Sequence, residues 1–252
     1  MNRKYHTFAH NFKNDIWGTI IEKIIRSYII ISGFGFFMID NIQIQTSVEV
    51  SEYTDAMSGF ERFVKRLVDF LAAFCGIILL SPVLLLVYIL VSLTGGDAIY
   101  KQERIGYKGK RFTIYKFRTM KKDAEKNGIP RTEEERREQM TRVGQFLRDH
   151  HLDELPQLFN VLNGDMSLVG PRPERQVFID KILAVNPNYV HLYKMRPGLT
   201  SQATLYNGYT DTMEKMLIRL DMDLEYLTTR SLWGDVVIIF KTAFSIISGK
   251  KF

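Results

Sequence analysis

ERFVKRLVDFLAAFCGIILLSPVLLLVYILVSLTGG, Glu61 to Gly96, decides what kind of protein this chain builds. From Phe70 to Val91 no charged side chain interrupts it. A run of that length satisfies the roughly 18 apolar residues that a membrane helix needs. A buried core helix is the alternative, but few positions in the run offer a polar face. Ser81-Pro82 sits near its middle, where proline removes a backbone donor and kinks a helix. Arg62, Lys65 and Arg66 precede the run, and Lys101, Arg104 and Lys108 follow it. Positive residues favour the cytoplasmic side, so basic flanks at both ends argue against crossing. The expected element enters the membrane, bends at Ser81-Pro82 and returns.

Upstream, residues 1–60 read as an extension without a chemical motif. Ser27 to Ile39 is apolar, but it is short for a span and interrupted by Gly33 and Gly35. That pattern suits a buried strand or an interfacial helix. Gln43 to Ser58 turns polar and reads as a linker. Met1 to Asp15 is polar and mixed in charge, which fits no secretory signal. The single cysteine, Cys75, excludes an intrachain disulfide and a thiolate metal cluster. Across the chain, 34 basic residues against 28 acidic ones leave a net charge of +6. Such a balance suits anionic partners: nucleic acid, nucleotide phosphates or an anionic lipid surface. Nucleic acid leaves the Phe70 to Val91 run unexplained.

Downstream, Ala98 to Met120 alternates apolar and polar residues around Gly106 and Gly109. The pattern predicts a β-hairpin, with strands near Ala98 to Gln102 and Phe112 to Phe117. Seven basic residues make it a positive surface. Lys116 and Arg118, two apart on one strand face, would present paired cations to a phosphate. Lys121 to Met140 is almost entirely charged and reads as a solvated loop or frayed helix. Thr141 to Leu162 returns to helical spacing, with Leu152, Leu155, Leu158, Phe159 and Leu162 on one apolar face. Pro156 is tolerated only in a first turn, which predicts a helix start near Asp153. Ser231 to Phe252 is apolar at helical spacing and suits either the core or the membrane surface.

Asp153 and Glu154 stand side by side in this region. As a helix cap Asp153 would need nothing else, and Glu154 would be an ordinary first-turn acid. The surroundings suggest more. Arg148 lies one turn upstream, Arg172 is held in Pro-Arg-Pro, and Arg196 precedes Pro-Gly. Guanidinium forks of this kind suit phosphate oxygens.

Six stretches resemble one family: KRLVDF (Lys65–Phe70), Ser81-Pro82, QERIG (Gln102–Gly106), FTIYKFRTM (Phe112–Met120), LDELPQLFNVLNGDMSLVGPRPE (Leu152–Glu174) and RPGLT (Arg196–Thr200). They are similar to the bacterial sugar transferases, the monotopic phosphoglycosyl transferases that load a sugar phosphate onto polyprenyl (undecaprenyl) phosphate. The resemblance implies an α+β, mostly helical fold. A membrane-embedded re-entrant helical hairpin, a short β-hairpin and surface amphipathic helices would pack on a small catalytic core. It divides the chain into residues 1–60, a membrane helix at 61–96 and a cytosolic domain at 97–252.

The same resemblance implies that Asp153 attacks the phosphate bearing the sugar in a UDP-sugar, expels UMP and carries the phosphosugar to the lipid acceptor. Carboxylates do serve as phosphoryl acceptors. Mg²⁺ is implied as cofactor, because an anionic nucleophile must approach an anionic pyrophosphate. Glu154, with Asp153, would hold that ion. Lys116, Arg118, Arg148, Arg172 and Arg196 become the phosphate ligands. Attachment to the cytoplasmic face of the bacterial inner membrane is implied, nucleic acid is not a partner, and a homodimer is left open. An inactive scaffold on the same fold is the alternative reading. The departures are Ser201 and Thr204, where the family usually has glycine and a Trp/Ala/Gln-containing segment associated with sugar recognition. His150 and His151 have no role in this reading beyond solvated or capping side chains.

Overall fold

A computed structural model describes residues 52–121, 138–207 and 212–248. The chain divides into Met1–Val48 and Glu49–Phe252. The expected element at Ser27 to Ile39 and most of the charged loop at Lys121 to Met140 lie outside the described residues. Tyr53 to Met57, assigned from composition to a linker, is docked on the folded chain. Asp55 receives Arg230 through both carboxylate oxygens, at 2.8 and 2.6 Å. Met57 is 2% exposed.

Helix α1 (Gly59–Ser92) runs for 34 residues, about 50 Å at 1.5 Å per residue. Ser58 and Glu61 start it with a reciprocal capping box, Ser58 Oγ accepting from Glu61 N and Glu61 Oε2 from Ser58 N. Its most apolar 18-residue window is 11% buried. A core helix would be mostly covered, so the exposed apolar surface fits membrane association.

The expected break at Ser81-Pro82 does not end the helix, which is one continuous element with Pro82 inside it. Pro82 has no N–H to give to Ile78 O, four residues back. Ser81 Oγ donates to that carbonyl instead, at 2.7 Å. The serine thus satisfies the acceptor that the proline leaves over.

One narrow stripe of α1 is buried, and it is partly charged: Lys65, Asp69, Ala73, Val87 and Val91. The spacing of four within each group places these side chains on one face. Lys65 Nζ donates to Asp235 Oδ2 at 2.5 Å. Asp69 accepts from Ser167 Oγ at 2.7 Å and from Leu168 N at 3.1 Å. Arg66 donates to Val161 O and Leu162 O at the end of a later helix. The charges of KRLVDF therefore moor an apolar helix to the domain.

Strands β1 (Ile99–Ile105) and β2 (Arg111–Phe117) form the expected antiparallel hairpin, in register from Ile99↔Phe117 to Ile105↔Arg111. The turn between them uses positive φ at Lys108 (57°) and Gly109 (68°). In the next stretch the helix expected to start near Asp153 starts later. Helix α2 (Arg142–Asp149) stops, His151 takes a left-handed conformation at φ 55°, and Leu152–Glu154 forms a 3-10 turn. Helix α3 (Gln157–Asn163) begins only after Pro156. Asp153 is thus in the turn before the helix and is not its cap.

Asn160, fully buried on α3, bridges to β2. Its amide donates to Thr113 O at 2.7 Å and accepts from Tyr115 N at 3.1 Å. Strands β3 (Ser167–Val169) and β4 (Gly198–Thr200) pair in parallel. They approach so closely that a Cβ on Gly198 would lie 2.1 Å from Gly170 N. Only glycine fits there. Helix α4 (Gln176–Leu183) lies between these strands in sequence. Helices α5 (Gln202–Asn207), α6 (Met213–Thr229) and α7 (Leu232–Ile247) follow.

Two apolar clusters hold the assembly on α1. Ahead of Pro82, Ala73, Ile77 and Leu80 pack with Ile114, Leu158, Val161 and Met166. Beyond it, Leu84, Val87 and Val91 pack with Ala98, Phe117, Leu147, Leu152 and Leu155. Of the expected apolar face, Phe159 instead points outward at 43% exposure. Helix α7 has one covered and one exposed side. Asp235 and Ile238 face inward, whereas Trp233, Phe240 and Phe244 stand exposed on the other side.

Candidate active site

The left-handed backbone at His151 turns the chain sharply enough to set Asp153 and Glu154 in a tight turn under β2. A non-glycine residue holds that conformation at a strain of roughly 1–3 kcal/mol, which neighbouring structure must offset. Glu154 N donates back to His151 O at 3.3 Å, and Leu155 N to Leu152 O at 3.3 Å. Asp153 is 8% exposed. From the opposite strand Lys116 Nζ donates to Glu154 Oε1 at 2.5 Å. From the Pro-Arg-Pro turn Arg172 Nη2 stands 3.7 Å from the same oxygen.

These contacts drive the two adjacent acids apart. Burial raises the Asp153 carboxyl to about 6, the neighbouring Glu154 charge adds to the rise, and Lys116 and Arg148 pull against it. Burial would raise Glu154 as well, but Lys116 and Arg172 outweigh it and hold this carboxyl well below the usual range. The dyad therefore ionises in two separated steps, Glu154 first. At neutral pH Asp153 is an ionised yet basic carboxylate, the state a nucleophile needs. Glu154 is a permanently charged neighbour.

The expected site residues do not all converge. Lys116 and Arg172 meet Glu154 directly, and the Lys116 and Arg148 charges act on Asp153. Arg118 does not join them. The strand ends at Phe117, and Arg118 Nη2 turns to Val91 O and Thr94 Oγ1, at 3.1 and 2.9 Å, closing the C-terminus of α1. Arg196 Nε donates to Gly164 O at 2.9 Å, and its guanidinium lies 4.9 Å over the Tyr107 ring. It thereby ties the end of α3 to the β-hairpin. Ser81 and Pro82 serve the membrane helix. Ser201 and Thr204 cap α5, with Thr204 N donating to Ser201 Oγ at 2.9 Å, and Ser201 is 2% exposed.

Sequence reasoning left His151 without a role. The structure brings it into the site, where burial first, and then the Arg172, Lys116 and Arg148 charges, hold its imidazole below its ordinary value against the pull of Glu154. Nothing in the sequence singles out Gln157 either. It is 2% exposed, four residues beyond Asp153, and its Nε2 is buried without a hydrogen-bond partner among the described residues.

As a metal site the dyad offers two hard carboxylates. No group of three or more His, Cys, Asp or Glu side chains suited to a metal occurs among the described residues. Mg²⁺ could take these two carboxylates with phosphate oxygens and water only where Lys116 gives up Glu154 Oε1, which it holds in this structure.

Comparison with known proteins places the chain among relatives of one kind. A UDP-N-acetylgalactosamine-undecaprenyl-phosphate N-acetylgalactosaminephosphotransferase of Aeromonas hydrophila is 40% identical over 188 residues, covering 74% of this chain and 44% of that protein. A UDP-glucose:undecaprenyl-phosphate glucose-1-phosphate transferase of Escherichia coli is 40% identical over 196 residues, covering 76% and 42%. Its namesake in Caulobacter vibrioides is 41% identical over 188 residues, covering 73% and 70%. The chain thus spans less than half the length of the first two relatives. Residues 60–249, which carry the moored apolar helix, the β-hairpin and the acid pair, match the bacterial sugar transferases, and the chain belongs to that family.

Proposed function

We propose that the chain is a phosphoglycosyl transferase, moving a sugar 1-phosphate from a UDP-sugar to polyprenyl (undecaprenyl) phosphate through an aspartyl-phosphosugar intermediate on Asp153. The observation that carries this reading is the divided acid pair. One carboxylate is basic and buried at about 6, and the other is pinned in its charged form by Lys116 and Arg172.

An oxygen of ionised Asp153 forms a bond to the sugar-bearing phosphorus. The bond from that phosphorus to the oxygen of UMP breaks, and UMP leaves with the electron pair. The acceptor's phosphate oxygen then attacks the same phosphorus and returns Asp153 as a carboxylate. Arg172 and Arg148 steady phosphate oxygens through planar guanidinium contacts. Glu154 and Asp153 would hold Mg²⁺ with the donor pyrophosphate, and the ion would supply the neutralisation that lets two anions meet. The lipid-linked product would start a cell-surface glycan: exopolysaccharide, capsule, O-antigen or a glycoprotein glycan. The family relatives are named for different sugars at equal identity, so the donor is read no further than a UDP-sugar.

We assign the activity to the cytoplasmic face of the bacterial inner membrane, with α1 re-entering on that side. Both ends of α1 are tied to one domain: Lys65 and Arg66 bind Asp235 and Val161 O, while Arg118 binds Val91 O. A helix crossing the membrane would need that one domain on both sides, so both ends are assigned to the same side.

The test supplies the purified chain with undecaprenyl phosphate, Mg²⁺ and a panel of UDP-sugars, and measures UMP. Without acceptor, about one UMP per active chain should appear, and the peptide carrying Asp153 should gain the mass of a sugar phosphate. UMP release that needs the acceptor, or an adduct on another peptide, would overturn the covalent reading.

A further inference from the structure

Arg172 stands at the apex of a turn whose neighbouring carbonyls are individually held. Gly198 N donates to Pro171 O at 2.9 Å, Arg104 Nη1 to Pro173 O at 3.1 Å, and Ile105 N to Glu174 O at 3.2 Å. The side chain that follows completes the clamp. Glu174 Oε1 accepts from Arg219 Nη1 at 2.9 Å, and Oε2 lies 3.7 Å from Arg104 Nη1. Arg104 comes from β1 and Arg219 from α6, so one carboxylate joins the hairpin, the turn and the C-terminal helices.

Charge gives this arrangement a purpose. Three guanidinium groups crowd one turn, and two of them are well covered: side-chain exposure is 17% for Arg104 and 10% for Arg219, against 38% for Arg172. Burial first, and then the Arg172 charge, depresses Arg219; in Arg104 Glu174 counters the same burial, with Arg172 again opposing. Without Glu174, Arg104 would lose its carboxylate partner and Arg219 would keep only the Asp223 charge, with Arg172 facing both. Arg172 would be pushed off Glu154, or the others would compete for it.

We propose that Glu174 is a positioning residue. With Arg104 and Arg219 it braces the Pro171–Glu174 turn and neutralises the two arginines behind it, so that Arg172 alone projects toward Glu154 and the donor phosphates. The proposal rests on the reading of Arg172 as a donor-phosphate ligand. Glu174 itself touches neither acid of the pair. Its effect passes through Arg172, and that separates it from a general stabilising ion pair.

The test is a double-mutant cycle on the full chain, with Glu174→Gln and Arg172→Ala singly and together, read as UMP release. Glu174→Gln alone should lower kcat/KM for the donor about tenfold or more, and Glu174→Asp should recover part of it. In the Arg172→Ala background the same change should move kcat/KM less than about twofold. Additive losses, or equal losses in both backgrounds, would overturn the proposal in favour of a fold-wide role. A second arm needs no turnover: phenylglyoxal labelling of Arg172, followed on its peptide by mass spectrometry. Labelling should speed up several-fold in Glu174→Gln and fall back in Glu174→Asp. Unchanged labelling in a folded Glu174→Gln, or in Glu174→Asp should Glu174→Gln not fold, would overturn the brace. Absence of UMP release from the wild type with every UDP-sugar would count against the transferase reading alone, since the labelling arm would still decide the brace.

Discussion

Replacing Asp153 by Asn should remove activity and make the protein more stable. The buried carboxyl titrates at about 6 against an ordinary value of 3.8. At about 1.36 kcal/mol per pH unit, that gap means the fold favours the protonated over the ionised side chain by on the order of 3 kcal/mol. The sign follows from linkage. A carboxyl raised in the folded state is accommodated without penalty below about 4. The penalty grows as pH rises through the interval to about 6, and above that it is fully present. Asparagine is neutral throughout and does not repel Glu154. Wild type and Asp153→Asn should therefore unfold at similar temperatures near pH 4. Near pH 7.5 the variant should unfold higher, by roughly 6–12 °C for a domain of this size. Turnover should fall by several orders of magnitude, because an amide cannot accept the phosphosugar. The assay pairs thermal unfolding at both pH values with UMP release. A variant that is less stable than wild type at neutral pH, or that still turns over, would refute the reasoning. A simple cap would show neither change, since Asn caps nearly as well as Asp.

Single-turnover UMP release in the wild type should follow Asp153 ionisation, rising about tenfold from pH 5 to pH 7 and levelling above; a flat profile would detach the nucleophile from this titration. Glu154→Gln strands Lys116, now 2.5 Å from Oε1, and weakens the metal donor set, so activity should drop at least about 100-fold with a lower unfolding temperature; near-normal rates would remove Glu154 from the chemistry. Arg172→Lys keeps the charge but loses the planar fork, and kcat/KM should fall about 10-fold or more in a folded protein, whereas unchanged kinetics would make Arg172 a turn residue only. Cysteines placed near residues 60 and 105 should label from the same, cytoplasmic side in intact cells; opposite sides would mean that α1 spans.

How far the sequence was legible depended on how local the cause was. The membrane helix was legible because apolar composition over twenty residues has few other uses, and the hairpin because alternation and glycine turns are local. The acid pair stood out by adjacency. Arg118 was misplaced because strand parity was extended one residue too far: the strand ends at Phe117, and the side chain is then drawn to the open carbonyls of a helix 27 residues back. The helix start near Asp153 failed because the left-handed turn at His151 leaves no signature in side-chain type. Lys65 was counted among the basic flanks. Its partner Asp235 lies 170 residues away, and no pattern in either neighbourhood announces the other.

The two clusters along α1 explain why a membrane helix and this site belong to one fold. Leu152 and Leu155 bracket Asp153 and Glu154 in sequence, and both pack into the cluster built on Val87 and Val91 of α1. The turn that carries the acids is therefore fastened, on either side of them, to the helix whose opposite surface presents Leu85, Leu86, Tyr88 and Ile89 outward. A soluble donor can reach a site anywhere on a surface, but a phosphate on a long apolar tail arrives only at the membrane boundary. Under the proposed reading, anchoring the acids through two leucines to α1 would set their height against that boundary. Truncating either leucine would loosen the acids and the helix together, and under the proposed reading that coupling would serve to join a water-soluble donor to a lipid acceptor.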